Sequence, residues 1–112
     1  MKKVATLILN RNLPAVTDRL YDHLLKYDGE STDLFVIEAG SDANNLSKYT
    51  TWYAKSEEII KNGLRYGRGM NFGLSALYRD GKFKDYDAFF LLTNDTELED
   101  RSIIEPMLDI LE

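Results

Sequence analysis

Short polar and acidic side chains follow three of the apolar segments in this sequence. Carboxylate and amide oxygens of this kind bind a divalent cation, a sugar or ribose hydroxyl, or the edge of a base. The same residue types also form ordinary turns. The occurrence of three such groups in corresponding positions favours a binding site. The groups are Asn10-Arg11-Asn12, Glu38-Ala39-Gly40-Ser41-Asp42 and Thr93-Asn94-Asp95-Thr96-Glu97.

Four runs of mainly aliphatic and aromatic residues lack helical spacing and are predicted to be strands. Amphipathic segments between them are predicted to be helices, because their apolar residues recur every three or four positions. In the first helix, Asn12 is the expected N-cap and Asp28-Gly29 the expected end. The expected strands are Val4–Leu9, Asp33–Glu38, Glu57–Lys61 and Ala88–Leu92. The expected helices are Leu13–Tyr27, a short one around Asn45–Ala54, Arg68–Arg79, and a last one opened by the capping box Ser102/Glu105.

Strands that alternate with amphipathic helices predict a three-layer α/β/α sandwich with a mainly parallel sheet. We expect residues 1–112 to form a single domain of this kind. In such sheets, ligands bind outside the carboxyl ends of the strands. All three polar groups follow strands, so the predicted fold brings them to that edge.

Composition excludes several kinds of protein. The chain has 112 residues, no Cys and one His, which removes disulfides, thiolate zinc sites and multi-histidine metal sites. A net charge of −5 argues against binding nucleic acid through its phosphates. The longest unbroken apolar run, Ala88–Leu92, is too short to span a membrane. We therefore expect a cytoplasmic protein without a transmembrane segment. The sequence leaves open whether it forms a homo-oligomer.

The order of these segments resembles the amino-terminal half of the family 2 glycosyltransferases, which have the GT-A fold. The resemblance spans about residues 4–98 and rests on four segments in the same order. It implies binding of a nucleotide-diphosphate sugar together with Mg²⁺ or Mn²⁺. The matching segments are Leu9-Asn10-Arg11-Asn12, Glu38-Ala39-Gly40-Ser41-Asp42, Gly67-Arg68-Gly69-Met70-Asn71-Phe72-Gly73 and Phe89-Phe90-Leu91-Leu92-Thr93-Asn94-Asp95-Thr96.

The resemblance also implies roles for individual residues. Asn10 and Asn12 would line the base pocket, and Glu38 would meet the base. Asp95 would bind the metal ion, which neutralises charge on the departing diphosphate. The remaining residues expected at the nucleotide sugar are Ser41, Asp42, Arg68, Asn71 and Asn94.

The sequence therefore leaves two functions open. The first is the donor half of a sugar-transfer enzyme, since these enzymes also need an acceptor half with the catalytic base. The second is a non-catalytic binding or interaction domain that keeps the fold. It is favoured by Thr93, which stands where the commoner motif has an acidic residue. A receiver or flavodoxin-like domain fits less well, because the segment after the first strand lacks paired acids and a phosphate loop.

Three further features are interpreted as structural. We expect the glycines at 67, 69 and 73 to allow a turn and close helix packing, because their spacing departs from the dinucleotide fingerprint. His23 lies on the first helix, away from the strand ends. Tyr49, Trp52 and Tyr53 are expected to cover the edge of the sheet, although stacking on a sugar or base is the alternative.

Overall fold

The computed structural model describes residues 4–54, 56–64 and 66–93. Within these residues, four strands form one sheet in the order β3-β2-β1-β4, and all three neighbouring pairs are parallel. The strands are β1 (Val4–Asn10), β2 (Thr32–Ala39), β3 (Trp52–Ala54) and β4 (Ala88–Thr93). The predicted α/β class and parallel sheet are confirmed. Three of the four predicted strands are confirmed too, since Val4–Leu9, Asp33–Glu38 and Ala88–Leu92 lie within β1, β2 and β4.

Helices pack on both faces of this sheet, as the three-layer prediction requires. They are α1 (Pro14–Asp28), α2 (Glu57–Asn62) and α3 (Tyr66–Arg79). Single 3-10 turns occur at Ala43–Asn45 and Phe83–Asp85.

Side chains alternate between the two faces along β1, so neighbouring residues enter different cores. Ile8 packs with Leu20 and Leu24 of α1, whereas Leu7 packs with Met70 and Leu77 of α3. All six of these side chains are at most 2% exposed. Each contributes roughly 1.5–3 kcal/mol through burial, which explains why β1 forms the centre of the fold.

Two glycines bring α3 close to the sheet. A Cβ atom on Gly69 would lie 2.5 Å from Leu9 Cδ1, and one on Gly73 would lie 2.4 Å from Ile37 Cδ1. Any larger residue would collide with the sheet at these positions, so the predicted close packing is confirmed for both. Gly67 serves no such purpose, because a Cβ atom there would meet nothing within 4 Å.

The predicted third strand is wrong. Residues 57–61 lie in helix α2, and the third strand is Trp52–Ala54 instead. Ser56 caps α2, because its Oγ accepts a hydrogen bond from the Ile59 N–H at 3.3 Å. Glu57 and Glu58 also favour the positive end of the helix. The capping signal and the acidic first turn override the strand preference of the two isoleucines.

Two helix predictions also need correction. The helix expected around Asn45–Ala54 is replaced by the 3-10 turn, an irregular segment and β3. Asn12 does not cap α1, because it adopts a left-handed backbone with φ 59° and the helix begins one residue after Leu13. The final helix opened by Ser102 lies outside the described residues.

Candidate functional site

The sheet reverses its winding direction beside β1. The chain moves outward from β1 through β2 to β3, and then returns to β4 on the other side of β1. Ligands of open parallel sheets bind in the crevice outside the carboxyl ends of the strands at such a switch point. Here the crevice begins where Asn10 ends β1 and Thr93 ends β4.

Asn10 is fully buried at the end of β1 and uses its whole amide for internal hydrogen bonds. Its Oδ1 accepts from Thr17 Oγ1 at 2.7 Å and from the Leu13 N–H at 3.3 Å. Its Nδ2 donates to Glu38 Oε1 at 2.7 Å and to the Asn45 carbonyl at 3.3 Å. An amide side chain has two donors and one oxygen with two lone pairs, so no part of Asn10 is left for a ligand.

Glu38 is fully buried at the corresponding end of β2, and its two carboxylate oxygens receive four hydrogen bonds. Oε1 accepts from Asn10 Nδ2 at 2.7 Å and from Ser41 Oγ at 2.6 Å. Oε2 accepts from the Ser47 N–H at 2.8 Å and from Thr50 Oγ1 at 2.6 Å. Four donors occupy the roughly four lone-pair positions of a carboxylate. These hydrogen bonds replace the water molecules that the carboxylate loses when it is buried.

Asn12 joins the loop after β1 to the loop after β2. Its backbone N–H donates to Ser41 Oγ at 3.0 Å. Its Oδ1 accepts from the Asp42 N–H at 2.8 Å and from Asn45 Nδ2 at 3.4 Å. The left-handed backbone that these contacts require is better tolerated by Asn than by most residues. The two loops therefore form one hydrogen-bonded unit.

We call residues 40–51 the β2–β3 loop. Its second half is also held by α1, because Ser47 Oγ donates to Asp18 and the Tyr49 hydroxyl donates to Asp22. The rings of Tyr49 and Tyr21 stack with centroids 3.8 Å apart. The hydrogen bond to the Asp22 carboxylate raises the pKa of the Tyr49 hydroxyl. These contacts anchor the loop to the helix that follows β1.

The structure brings five of the predicted site residues together, and two others lie outside this hydrogen-bonded group. Arg68 and Asn71 are exposed on α3, on the opposite face of the sheet from α1. Asn94 and the predicted metal ligand Asp95 lie outside the described residues. The five that meet at the carboxyl edge are Asn10, Asn12, Glu38, Ser41 and Asp42.

Sequence analysis missed the polar partners that complete this cluster. Thr17, Ser47 and Thr50 hydrogen-bond to Asn10 or Glu38 from positions 7 to 12 residues further along the chain. The incorrect helix around Asn45–Ala54 concealed two of them. A usable signal was present at Thr17, a polar residue between the apolar positions 16 and 20 of the first helix.

The aromatic residues and His23 that are interpreted as structural make contacts within the protein. Trp52 stacks on Phe35 with ring centroids 5.3 Å apart, so it covers the sheet at its β3 edge. The Tyr53 hydroxyl donates to the Ser41 carbonyl at 2.6 Å, and this bond also holds the β2–β3 loop. His23 packs against the ring of Tyr27 on α1, with centroids 4.8 Å apart.

An open cleft of about 480 Å³ lies at the opposite edge of the sheet, lined by the start of β2 and the segment before β4. There the Tyr86 hydroxyl donates to Asp33 Oδ2 at 2.7 Å. Burial and this hydrogen bond raise the pKa of Tyr86 well above its ordinary value. The cleft is remote from the cluster of polar residues and does not belong to it.

Comparison with known proteins identifies no relative: neither a family model, nor a curated protein, nor a solved structure matches the chain. Within residues 4–54, 56–64 and 66–93, no three His, Cys, Asp or Glu side chains are grouped to hold a metal ion. None of the helices in the described part of the chain is both long and apolar enough to cross a membrane. The geometry of the carboxyl edge is therefore the feature from which a function is proposed.

Proposed function

We propose that this chain is a glycosyltransferase-like domain of the GT-A kind that binds a nucleotide-diphosphate sugar. In this proposal it is the donor-binding part of a cytoplasmic sugar-transfer enzyme. The observation that carries the proposal is the switch point between β1 and β4, beside which the loops after β1 and β2 are bonded into one polar unit. Nucleotides bind at this position in doubly wound sheets.

The positions of the two long helices support binding of the diphosphate. α1 follows β1 and therefore begins at the carboxyl edge of the parallel sheet. α3 begins at the same edge, since Gly69 near its start lies against Leu9 and Gly73 lies against Leu7. The positive ends of both helix dipoles therefore lie at that edge. Arg68 is exposed in the first turn of α3, where its charge would favour a phosphate group.

The metal part of the proposal has a separate basis. It comes from the resemblance of Asp95 to a metal-binding acid and not from the described residues, which contain no grouped set of ligands. The metal dependence of binding is accordingly tested as its own variable.

Calorimetric titration of the full chain with UDP, GDP and dTDP, each with and without Mn²⁺ or Mg²⁺, tests the proposal. We expect at least one nucleotide to bind, and to bind more tightly with metal. Asp95→Ala should remove the effect of the metal, whereas Glu30→Gln, a change at an exposed acid of the opposite edge, should not. If none of the three nucleotides binds under either condition, the proposal is wrong.

A non-catalytic binding or interaction domain is the second candidate, and one observation favours it. The acid expected to meet the base, Glu38, already has four hydrogen bonds from within the chain. A domain that had lost its ligand would be free to fill the former pocket in this way. This candidate predicts a folded protein without affinity for nucleotides, so the same titration separates the two.

A further inference from the structure

Glu38 stands at the end of β2, where a carboxylate would be expected to face a ligand, yet its side chain is fully buried. We infer that Glu38 is a positioning residue that ties the β2–β3 loop to β1, and that Asp42 is the acid that contacts the nucleotide. The positioning role of Glu38 is inferred from its hydrogen bonds alone. The role of Asp42 rests on the proposed function, because it presupposes that a nucleotide binds at this edge.

The hydrogen bonds of Glu38 reach both ends of the loop. Ser41 lies at its start, and Ser47 and Thr50 lie near its end. Asn10, the fourth donor, belongs to β1. A single carboxylate therefore closes the loop on itself and fixes it to the central strand. Removing one acceptor oxygen would leave a buried donor unpaired, which costs more than the bond itself contributes.

The effect of this tie extends to the crevice. Ser41 Oγ donates to Glu38 and also accepts from the Asn12 N–H. The Asn12 side chain in turn holds the backbone N–H of Asp42 at 2.8 Å. A change at Glu38 is therefore transmitted through three hydrogen bonds to the backbone of Asp42, although Glu38 itself has no exposed surface.

Asp42 has the properties that Glu38 lacks. Its side chain is exposed at the carboxyl edge, and within the described residues its carboxylate makes no hydrogen bond or ion pair, while its backbone is held in place by Asn12. An available carboxylate on an anchored backbone can accept hydrogen bonds from ribose hydroxyls or from the N–H groups of a base. Glu38 is thus the internal acid that orders the loop, and Asp42 is the exposed acid that binds the nucleotide.

The division predicts opposite results for two isosteric substitutions in the full chain. Glu38→Gln should accelerate hydrogen exchange at the loop amides, Ser47 above all, by about tenfold or more. It should weaken the binding of UDP, GDP and dTDP by a similar factor and leave the preference among the three nucleotides unchanged. Asp42→Asn should weaken nucleotide binding by about tenfold, the loss expected for a hydrogen bond to a charged group, without altering exchange in the loop.

A second pair of variants guards against a Glu38→Gln protein that fails to fold. Thr50→Val removes the hydroxyl that donates to Glu38 and to the Ser47 carbonyl and should accelerate loop exchange, whereas Thr50→Ser retains the hydroxyl and should keep the wild-type rate. Glu30→Gln is the control, since this exposed acid lies at the other edge and should change neither quantity.

Three results would overturn the inference. One is a Glu38→Gln protein that discriminates differently among the three bases, because that would place Glu38 on the base. Another is unchanged loop exchange in both Glu38→Gln and Thr50→Val. The third is an Asp42→Asn protein that binds as tightly as wild type. If wild type binds none of the three nucleotides, the proposed function and the role of Asp42 both fail, and loop exchange still decides whether Glu38 is the tie.

Discussion

Substituting Asn10 by alanine should destabilise the protein more than almost any other change of a polar residue. Asn10 is fully buried and makes four hydrogen bonds, none of which alanine can replace. The bond to the Glu38 carboxylate is charge-assisted and contributes about 1.5–3 kcal/mol, whereas each neutral bond contributes about 0.5–1.5 kcal/mol. The bond from the Leu13 N–H is part-buried, so a water molecule can replace its acceptor.

Counting the bonds to Glu38, Thr17 and Asn45 therefore gives an expected loss of about 2.5–6 kcal/mol. Urea denaturation followed by circular dichroism measures the free energy of unfolding directly. Thr17→Val removes one of the same bonds, so its loss should be about 1 kcal/mol. The double variant should lose less than the sum of the two single changes, because both remove the same contact.

Asn62→Ala is the matched control, because Asn62 is an exposed residue at the end of α2. It should change the free energy of unfolding by less than about 0.5 kcal/mol. If the free energy of unfolding of Asn10→Ala were within about 1 kcal/mol of wild type, the hydrogen bonds of Asn10 would not stabilise the fold as described.

Two other predictions concern packing and pH. Gly73→Ala should lower stability by about 1–3 kcal/mol in thermal melts, because its Cβ would lie 2.4 Å from Ile37 Cδ1. Gly67→Ala, with open space at the same atom, should raise stability by up to about 1 kcal/mol, and equal effects of the two would contradict the packing described. The pKa of Tyr86 is raised in the folded protein, so the unfolded chain loses that proton first as the pH rises above about 10. Wild-type stability should therefore decline in that range, and chemical denaturation should show a smaller decline for Tyr86→Phe.

The elements with strong apolar patterns were predictable. β1, α1, α3 and β4 all lie close to their expected ranges, because the apolar residues of each pack into the two hydrophobic clusters and their spacing reflects that packing. The failure at residues 57–61 has a local cause. Two adjacent isoleucines suggested a strand, whereas Ser56 and the acidic first turn specify a helix.

The location of the candidate site was predictable from the sequence, but its hydrogen-bond partners were not. Strand ends were expected to deliver Asn10, Glu38 and Asp42 to one edge, and they do. Their neighbours Ser47 and Thr50 come from an irregular loop without periodicity. The sequence contained no indication that Glu38 points inward, because the direction of a side chain at a strand end depends on contacts between residues far apart in the chain.

The buried carboxylate of Glu38 also constrains how this sequence can diverge. Losing the acid alone would leave the Ser47 N–H without its acceptor and would remove one acceptor each from Asn10 Nδ2, Ser41 Oγ and Thr50 Oγ1. Replacing an acid and its donors together by apolar residues, in contrast, is nearly neutral. Substitutions at these positions should therefore be inherited as a set. In an alignment of homologues these positions should covary, so that Glu38 of β2 and Asn10 of β1 are replaced together.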